Sequence, residues 1–171
     1  MVKKRHHILL LIANILIFFA VIIFDTSEIL NISIKTATPM ILLPLLCSYS
    51  FFANIKSCIA VGLISGAFVD SVSYRSYCFN TILLMIIAVT VCLCANNLFN
   101  KNIRAAVVLT LLASTLYFVL LWLVFYGFNS DIESSLGYLL KYALPSALYS
   151  TVIVFPFYFI YKKFNKIKEH Q

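Results

Sequence analysis

Long apolar segments separated by short polar ones run along nearly the whole chain. No segment alternates apolar and polar residues with the period of two that strands of a membrane barrel show, so the pattern predicts α-helices. Each apolar segment is close to the roughly 17–25 residues that a helix needs to cross a bilayer, and the third is the shortest. The predicted spans cover residues 8–24, 36–53, 57–72, 77–97, 104–127 and 138–161.

Composition supports this interpretation. The chain has 171 residues, of which 63% are hydrophobic and 11% charged, whereas about 25% of the residues of soluble domains are charged. We therefore expect an all-α integral membrane protein with six transmembrane helices, in which residues 1–171 form a single polytopic domain. The first apolar segment follows basic residues as a signal peptide would, but no small-x-small cleavage site follows it, so we predict a retained span.

The charge distribution predicts an orientation. An even number of spans places both termini on one side, and ten of the thirteen basic residues then lie on that side. Only Lys35, Arg75 and Lys141 lie on the other side. Because cytoplasmic loops carry an excess of Lys and Arg, both termini are predicted to be cytoplasmic. The net charge of +7 is then explained by anionic membrane lipid, with no need for nucleic acid.

Small residues recur every four positions in the third span, at Cys58, Gly62, Gly66 and Asp70. At 3.6 residues per turn these positions form one narrow stripe, against which a neighbouring helix can pack closely. Helix packing alone would explain the glycines. Asp70 is different, because an ionisable residue at membrane depth is a candidate functional residue. A surface pair with Arg75 would contribute only about 0–1 kcal/mol and would not explain it.

Prolines lie inside two predicted spans. Pro44 and Pro156 each remove a helical hydrogen bond, so we expect a kink at each position. Pro145 lies near the start of the last span. Kinks of this kind fit a bend around a neighbouring helix better than a hinge.

Residues that carry out chemistry are scarce. The five cysteines include no C-x-x-C pair, and the three histidines lie in the terminal tails. No nucleophile elbow, zinc-protease or phosphate-loop motif is present. Asp70 is predicted to be the lone acid within the helices, whereas aspartyl chemistry needs two carboxylates. The sequence therefore predicts a protein that is not an enzyme and holds no cofactor or metal.

Two motifs resemble the rod shape-determining protein MreD family. The first is the order G-x-x-x-G-x-x-x-D at Gly62, Gly66 and Asp70, followed by a short polar turn and a long fourth span. The second is the segment 144–149, LPSALY, followed by the segment 155–158, FPFY, and a basic tail. Members of that family often have a glycine soon after the aspartate, where this chain has the segment 77–79, YCF.

The resemblance implies a noncatalytic scaffold subunit of the bacterial cell-wall elongation machinery in the inner membrane. Proteins of this family bind MreC and, through it, connect MreB filaments with RodA and a class B penicillin-binding protein. The small-residue and proline-containing surfaces would then receive a partner helix. The candidate interface residues are Gly62, Gly66, Asp70, Pro145, Ser146 and Tyr149.

A second interpretation belongs to another functional class. The same architecture resembles the six-helix substrate-capture subunits of energy-coupling factor vitamin transporters. A pocket near the outer face would then be lined by Asp70, Arg75, Lys141, Trp122 and the tyrosines at positions 74, 77 and 126. Those subunits couple through small-residue motifs in their first span, and residues 8–24 contain no A-x-x-x-A sequence.

Overall fold

The fold is a bundle of α-helices packed around one short central helix. The computed structural model describes residues 2–26, 40–72, 78–97, 102–125 and 144–169, and every regular element in these ranges is helical, which confirms the predicted all-α class. The helices are α1 (Val2–Thr26), α2 (Leu42–Ser50), α3 (Ile55–Val72), α4 (Phe79–Asn97), α5 (Ile103–Phe125), α6 (Leu144–Val152) and α7 (Val154–Glu169).

The central helix is α2, which packs against all six other helices. Its leucines at positions 42, 43, 45 and 46 are fully buried. With nine residues, α2 is only about 14 Å long at 1.5 Å per residue. α2 lies within the predicted span 36–53, and in the described part of that span Met40 and Ile41 precede the helix, which begins at Leu42.

The late start of α2 also changes the role of Pro44. Pro44 is the third residue of the helix, where its missing N–H would have no partner within the helix. The predicted kink at Pro44 is thus absent from α2. Pro145 likewise occupies the first turn of α6, as its second residue.

Pro156 lies beside a real interruption of the last span. The helical path stops at Val152 and resumes at Val154, so that Ile153 separates α6 from α7. A proline at position 156 cannot donate to the carbonyl of Val152 and its ring crowds that carbonyl, which interrupts the helix one turn earlier. The break lies where the kink was predicted.

Large apolar side chains face outward on most of the helices. The most exposed are Ile15, Leu16, Ile64, Ile82, Leu112, Leu148, Val152 and Phe159. Among the described residues, three helices are long and apolar enough to cross a membrane: Ile55–Val72, Phe79–Asn97 and Ile103–Val124. The segment Ala13–Asp25 is a shorter apolar helix. Exposed apolar surface of this extent is typical of a protein that is surrounded by lipid.

Charged side chains separate to opposite ends of the bundle. Lys56 begins α3 and Arg104 begins α5, next to a cluster in which Phe51, Ala95 and Tyr158 are packed together. Lys162, which lies over the ring of Tyr158 at 5.8 Å, and Lys163 lie near the same end. We call this the basic end. The end where α3 stops and α4 begins, which carries Asp70, is called the carboxylate end.

Candidate functional site

Asp70 caps the N-terminus of α4. Its carboxylate accepts hydrogen bonds from the backbone N–H of Asn80 at 3.1 Å and of Thr81 at 2.8 Å, and from the Thr81 hydroxyl at 2.6 Å. Residue 78, which precedes the helix, is a cysteine and supplies no oxygen for this purpose. A carboxylate from the neighbouring helix therefore satisfies N–H groups that have no helical partner, next to the positive end of the helix dipole.

Asp25 does the same for α2. Its two carboxylate oxygens accept hydrogen bonds from the backbone N–H of Ile41 and of Leu42, each at 3.0 Å. Ile41 is the capping position of α2 and has no oxygen in its side chain, so no local side chain caps this helix. The starts of α2 and α4 thus follow one principle: the last turn of the preceding helix supplies the carboxylate that caps the next.

Tyr117 of α5 lies next to this pair of caps. Its hydroxyl donates a hydrogen bond to the Asn80 side-chain oxygen at 2.9 Å, and it is close enough to Asp25 and Asp70 to be affected by both charges. The tyrosine is buried, with 3% of its surface exposed. The candidate site therefore joins α1, α3, α4 and α5, and we call its five residues the polar cluster: Asp25, Asp70, Asn80, Thr81 and Tyr117.

This arrangement corrects one sequence-based expectation. Asp70 is not the lone acid within the helices, because α1 continues to Thr26 and includes Asp25. Both carboxylates, however, accept backbone hydrogen bonds at helix N-termini. Within the described ranges, no group of three or more His, Cys, Asp or Glu side chains is placed to hold a metal ion.

The stripe of small residues on α3 faces α4 of the same chain. A Cβ added to Gly66 would lie 2.8 Å from the Asn80 carbonyl oxygen, and one added to Gly62 would lie 2.8 Å from the Cα of Met85. Both distances are too short for a side chain unless the backbone moves. Close approach along this stripe was predicted, but α4 occupies the surface that Gly62, Gly66 and Asp70 were expected to offer to a partner helix.

Cys78 adopts a left-handed backbone conformation immediately before α4, with a φ of 54°. Glycine adopts this conformation without the steric cost that a Cβ imposes. The carbonyl oxygen of Cys78 accepts the first hydrogen bond of α4, from the N–H of Ile82 at 3.2 Å. The family resemblance places a glycine soon after the aspartate, where this chain has the segment 77–79, and within that segment Cys78 has a backbone conformation that favours glycine.

The candidate residues on α6 divide between two faces. Ser146 is buried with 4% of its surface exposed, whereas Pro145 and Tyr149 are partly exposed. α6 packs on α5, where the Ser114 hydroxyl donates to the carbonyl of Ala147 at 3.4 Å. The structure therefore leaves Pro145 and Tyr149 accessible and separates them from the α3 stripe.

Several predicted features lie outside the described residues. These are the polar turn with Arg75, the loop that contains Lys141, and the tyrosines at positions 74, 77 and 126. Residues that the sequence analysis missed are Asp25, Asn80, Thr81 and Tyr117. One signal was available at the start of α4, because Cys78 cannot cap the helix that follows it and the first N–H groups then need an acceptor from another helix.

The helices with their apolar outer faces and partly buried polar cluster define an all-α membrane protein. The chain matches no protein-family model, no curated protein and no solved structure.

Proposed function

We propose that this protein is a noncatalytic scaffold of the cell-wall elongation complex in the bacterial inner membrane, with six spans and both termini in the cytoplasm. One observation carries the proposal. The carboxylates of Asp25 and Asp70 cap the protein's own helices, and the outer faces are apolar. Such a surface suits contacts with lipid and with apolar helices.

The two motifs that resemble MreD give this scaffold its expected partner, the membrane-spanning helix of MreC. Through MreC the protein would connect indirectly with MreB, RodA and a class B penicillin-binding protein. The α3 stripe serves the internal α3–α4 contact, so another surface must receive the partner. We assign this role to the outward face of α6 and α7, which we call the docking face: Pro145, Leu148, Tyr149, Val152, Phe155 and Phe159.

The docking face has two suitable properties. Leu148, Val152 and Phe159 are 60%, 62% and 60% exposed, among the highest values for large apolar residues of the described helices. The break at Ile153 divides this face into two halves, one on α6 and one on α7, and a partner helix that lies along the face would contact both.

Site-specific photo-crosslinking in growing cells tests this assignment. A photoreactive amino acid at Leu148 or Phe159 should form an adduct with MreC, whereas one at Ile64, which is 58% exposed on α3, should not. Adducts with MreC at Ile64 alone would show that the docking face is wrongly placed. The absence of any elongation-complex protein from all three adduct sets, with normal cell shape after depletion, would refute the function itself.

The polar cluster favours one competing function, a substrate-capture subunit of an energy-coupling factor transporter. Such subunits share the six-helix architecture and hold a vitamin near the outer face, where polar groups are needed. The Asp70 carboxylate, however, already accepts hydrogen bonds from two N–H groups and a hydroxyl of this chain. These bonds support the scaffold function over a vitamin-binding site. A vitamin that copurifies in stoichiometric amount with the wild-type protein would reverse this preference.

A further inference from the structure

Two cysteines face each other across the largest helix contact of the described bundle, between α3 and α4. Cys58 lies one turn before Gly62, and Cys92 lies one turn after Ala88. A Cβ added to Gly62 would lie 3.3 Å from the Cβ of Ala88. In an antiparallel helix pair, a turn back along one helix matches a turn forward along the other, so Cys58 lies opposite Cys92.

Cys58 and Cys92 are both fully buried, and each thiol lies against a backbone carbonyl. The Cys92 thiol lies 3.3 Å from the Ala53 carbonyl oxygen, and the Cys58 thiol lies 4.0 Å from the Ser50 carbonyl oxygen. Ser50 ends α2 and Ala53 lies in the turn that follows it, so one short segment of the chain contacts both sulfur atoms.

We propose that Cys58 and Cys92 form a reversible disulfide that joins α3 to α4. Both are free thiols in the structure. Exchange with a small disulfide balances the reaction. The first cysteine displaces one small thiol and forms a mixed disulfide, and the second displaces the other small thiol, so that one S–S bond forms and two small thiols are released. A disulfide requires a short Cα separation, and the two helices approach closely one turn away, where a Cβ on Gly62 would lie 3.3 Å from the Cβ of Ala88.

The position of this bond gives it a mechanical consequence. At the carboxylate end, α3 and α4 are already joined by the hydrogen bonds of Asp70 to Asn80 and Thr81. Toward the basic end, the contact between them consists of small and apolar side chains, along which helices can shift. A disulfide between Cys58 and Cys92 would join α3 to α4 toward the basic end as well.

The remaining described cysteines provide matched controls. Cys47 is buried in α2. Cys78 is exposed at the carboxylate end, and Cys94 is partly exposed on a different face of α4 from Cys92. None of these three shares the environment of the proposed pair.

Diamide treatment of membranes that contain the full-length protein tests the proposal. The N=N bond of diamide takes up the two protons and two electrons that the thiols lose. After denaturation and alkylation, mass spectrometry should find the Cys58–Cys92 link in at least half of the chains, and dithiothreitol should remove it. The variants Cys47→Ser and Cys94→Ser should keep the link, and Cys92→Ser should lose it.

Two results would overturn the proposal. The first is a wild-type protein in which Cys58 and Cys92 both remain alkylatable after diamide. The second is a set of links that involves mainly Cys78 or Cys94. The diamide result for the wild-type protein does not depend on the folding of any variant, so it tests the proposal even if Cys92→Ser is unstable. Thermal unfolding gives an independent readout: oxidation should raise the midpoint by several degrees in wild type and leave it unchanged in Cys92→Ser.

Discussion

Capping by a carboxylate from a neighbouring helix is the feature that most clearly explains the placement of individual polar residues. α2 and α4 begin after Ile41 and Cys78, which have no suitable side chain, and Asp25 and Asp70 supply the missing acceptors. In an apolar environment an N–H without a partner costs several kcal/mol. Each aspartate therefore positions the start of a helix and, at the same time, the end of the helix that carries it.

Replacing Asp70 by alanine should destabilise the protein by about 1–2 kcal/mol, because Asn80 and Thr81 lose their acceptor. Asp25→Ala should have a similar effect through α2. Ser71→Ala is the matched control, since Ser71 is exposed and its hydroxyl donates to the carbonyl of Phe68. Unfolding of the purified protein in mild detergent measures all three. A loss for Ser71→Ala as large as that for Asp70→Ala would contradict the capping role.

Asp70 could be predicted from the sequence as an important residue, but Asp25 was missed. Asp70 follows a run of small residues at helical spacing, whereas Asp25 lies just beyond the predicted span 8–24 and precedes polar residues. Tyr117 lies in the most uniformly hydrophobic segment, where nothing in the local pattern distinguishes it. Its contact with Asn80 joins residues 37 positions apart, and a distance of that kind is set by helix packing, which one sequence does not reveal.

At the level of elements, close packing along the small-residue stripe of α3 could be predicted from the sequence, whereas the identity of the helix that packs there could not, since a partner helix was expected. The four-residue spacing of Cys58, Gly62, Gly66 and Asp70 predicted a narrow face for close packing, and the structure places that face on α4. The start of α2 could not be predicted in the same way. Its apolar residues continue before Leu42, so hydropathy gave no sign of where the helix begins, and the interior position expected for Pro44 was wrong.

Gly66→Ala should destabilise the α3–α4 pair by about 1–3 kcal/mol, because the new methyl group would collide with the backbone of Asn80 and Thr81. Ala67→Leu is the matched control, since Ala67 is the next residue of the same helix and is exposed. Detergent unfolding curves for both variants provide the comparison. Equal stability of Gly66→Ala and wild type would show that the two helices are farther apart than the structure places them.

At the scale of the whole molecule, charge and hydropathy agree. The described basic side chains lie toward one end, at Lys56, Arg104, Lys162 and Lys163, and the described acidic side chains, Asp25 and Asp70, lie toward the other. Apolar side chains cover the outer faces between these ends. This separation matches the excess of positive charge that cytoplasmic segments of membrane proteins carry. It supports the orientation that we propose.

Labelling of single introduced cysteines tests that orientation. A membrane-impermeant maleimide applied to intact cells should label Val72→Cys, at the carboxylate end, and should leave Lys56→Cys unlabelled until the cells are opened. Both positions are exposed on the protein surface, so a difference in labelling between them would report the side of the membrane and not burial within the protein. The wild-type chain measures the background from Cys78 and Cys94. Labelling of Lys56→Cys in intact cells would place the basic end outside and refute the layout.

The shortness of α2 has a consequence for biosynthesis. A segment of nine helical residues does not reach the length at which the insertion machinery recognises a span by itself. α2 must then enter the bilayer together with the flanking helices α1 and α3, which shelter its backbone. The Asp25 carboxylate would act at that moment as well, by holding the leading turn of α2 against α1 during membrane integration.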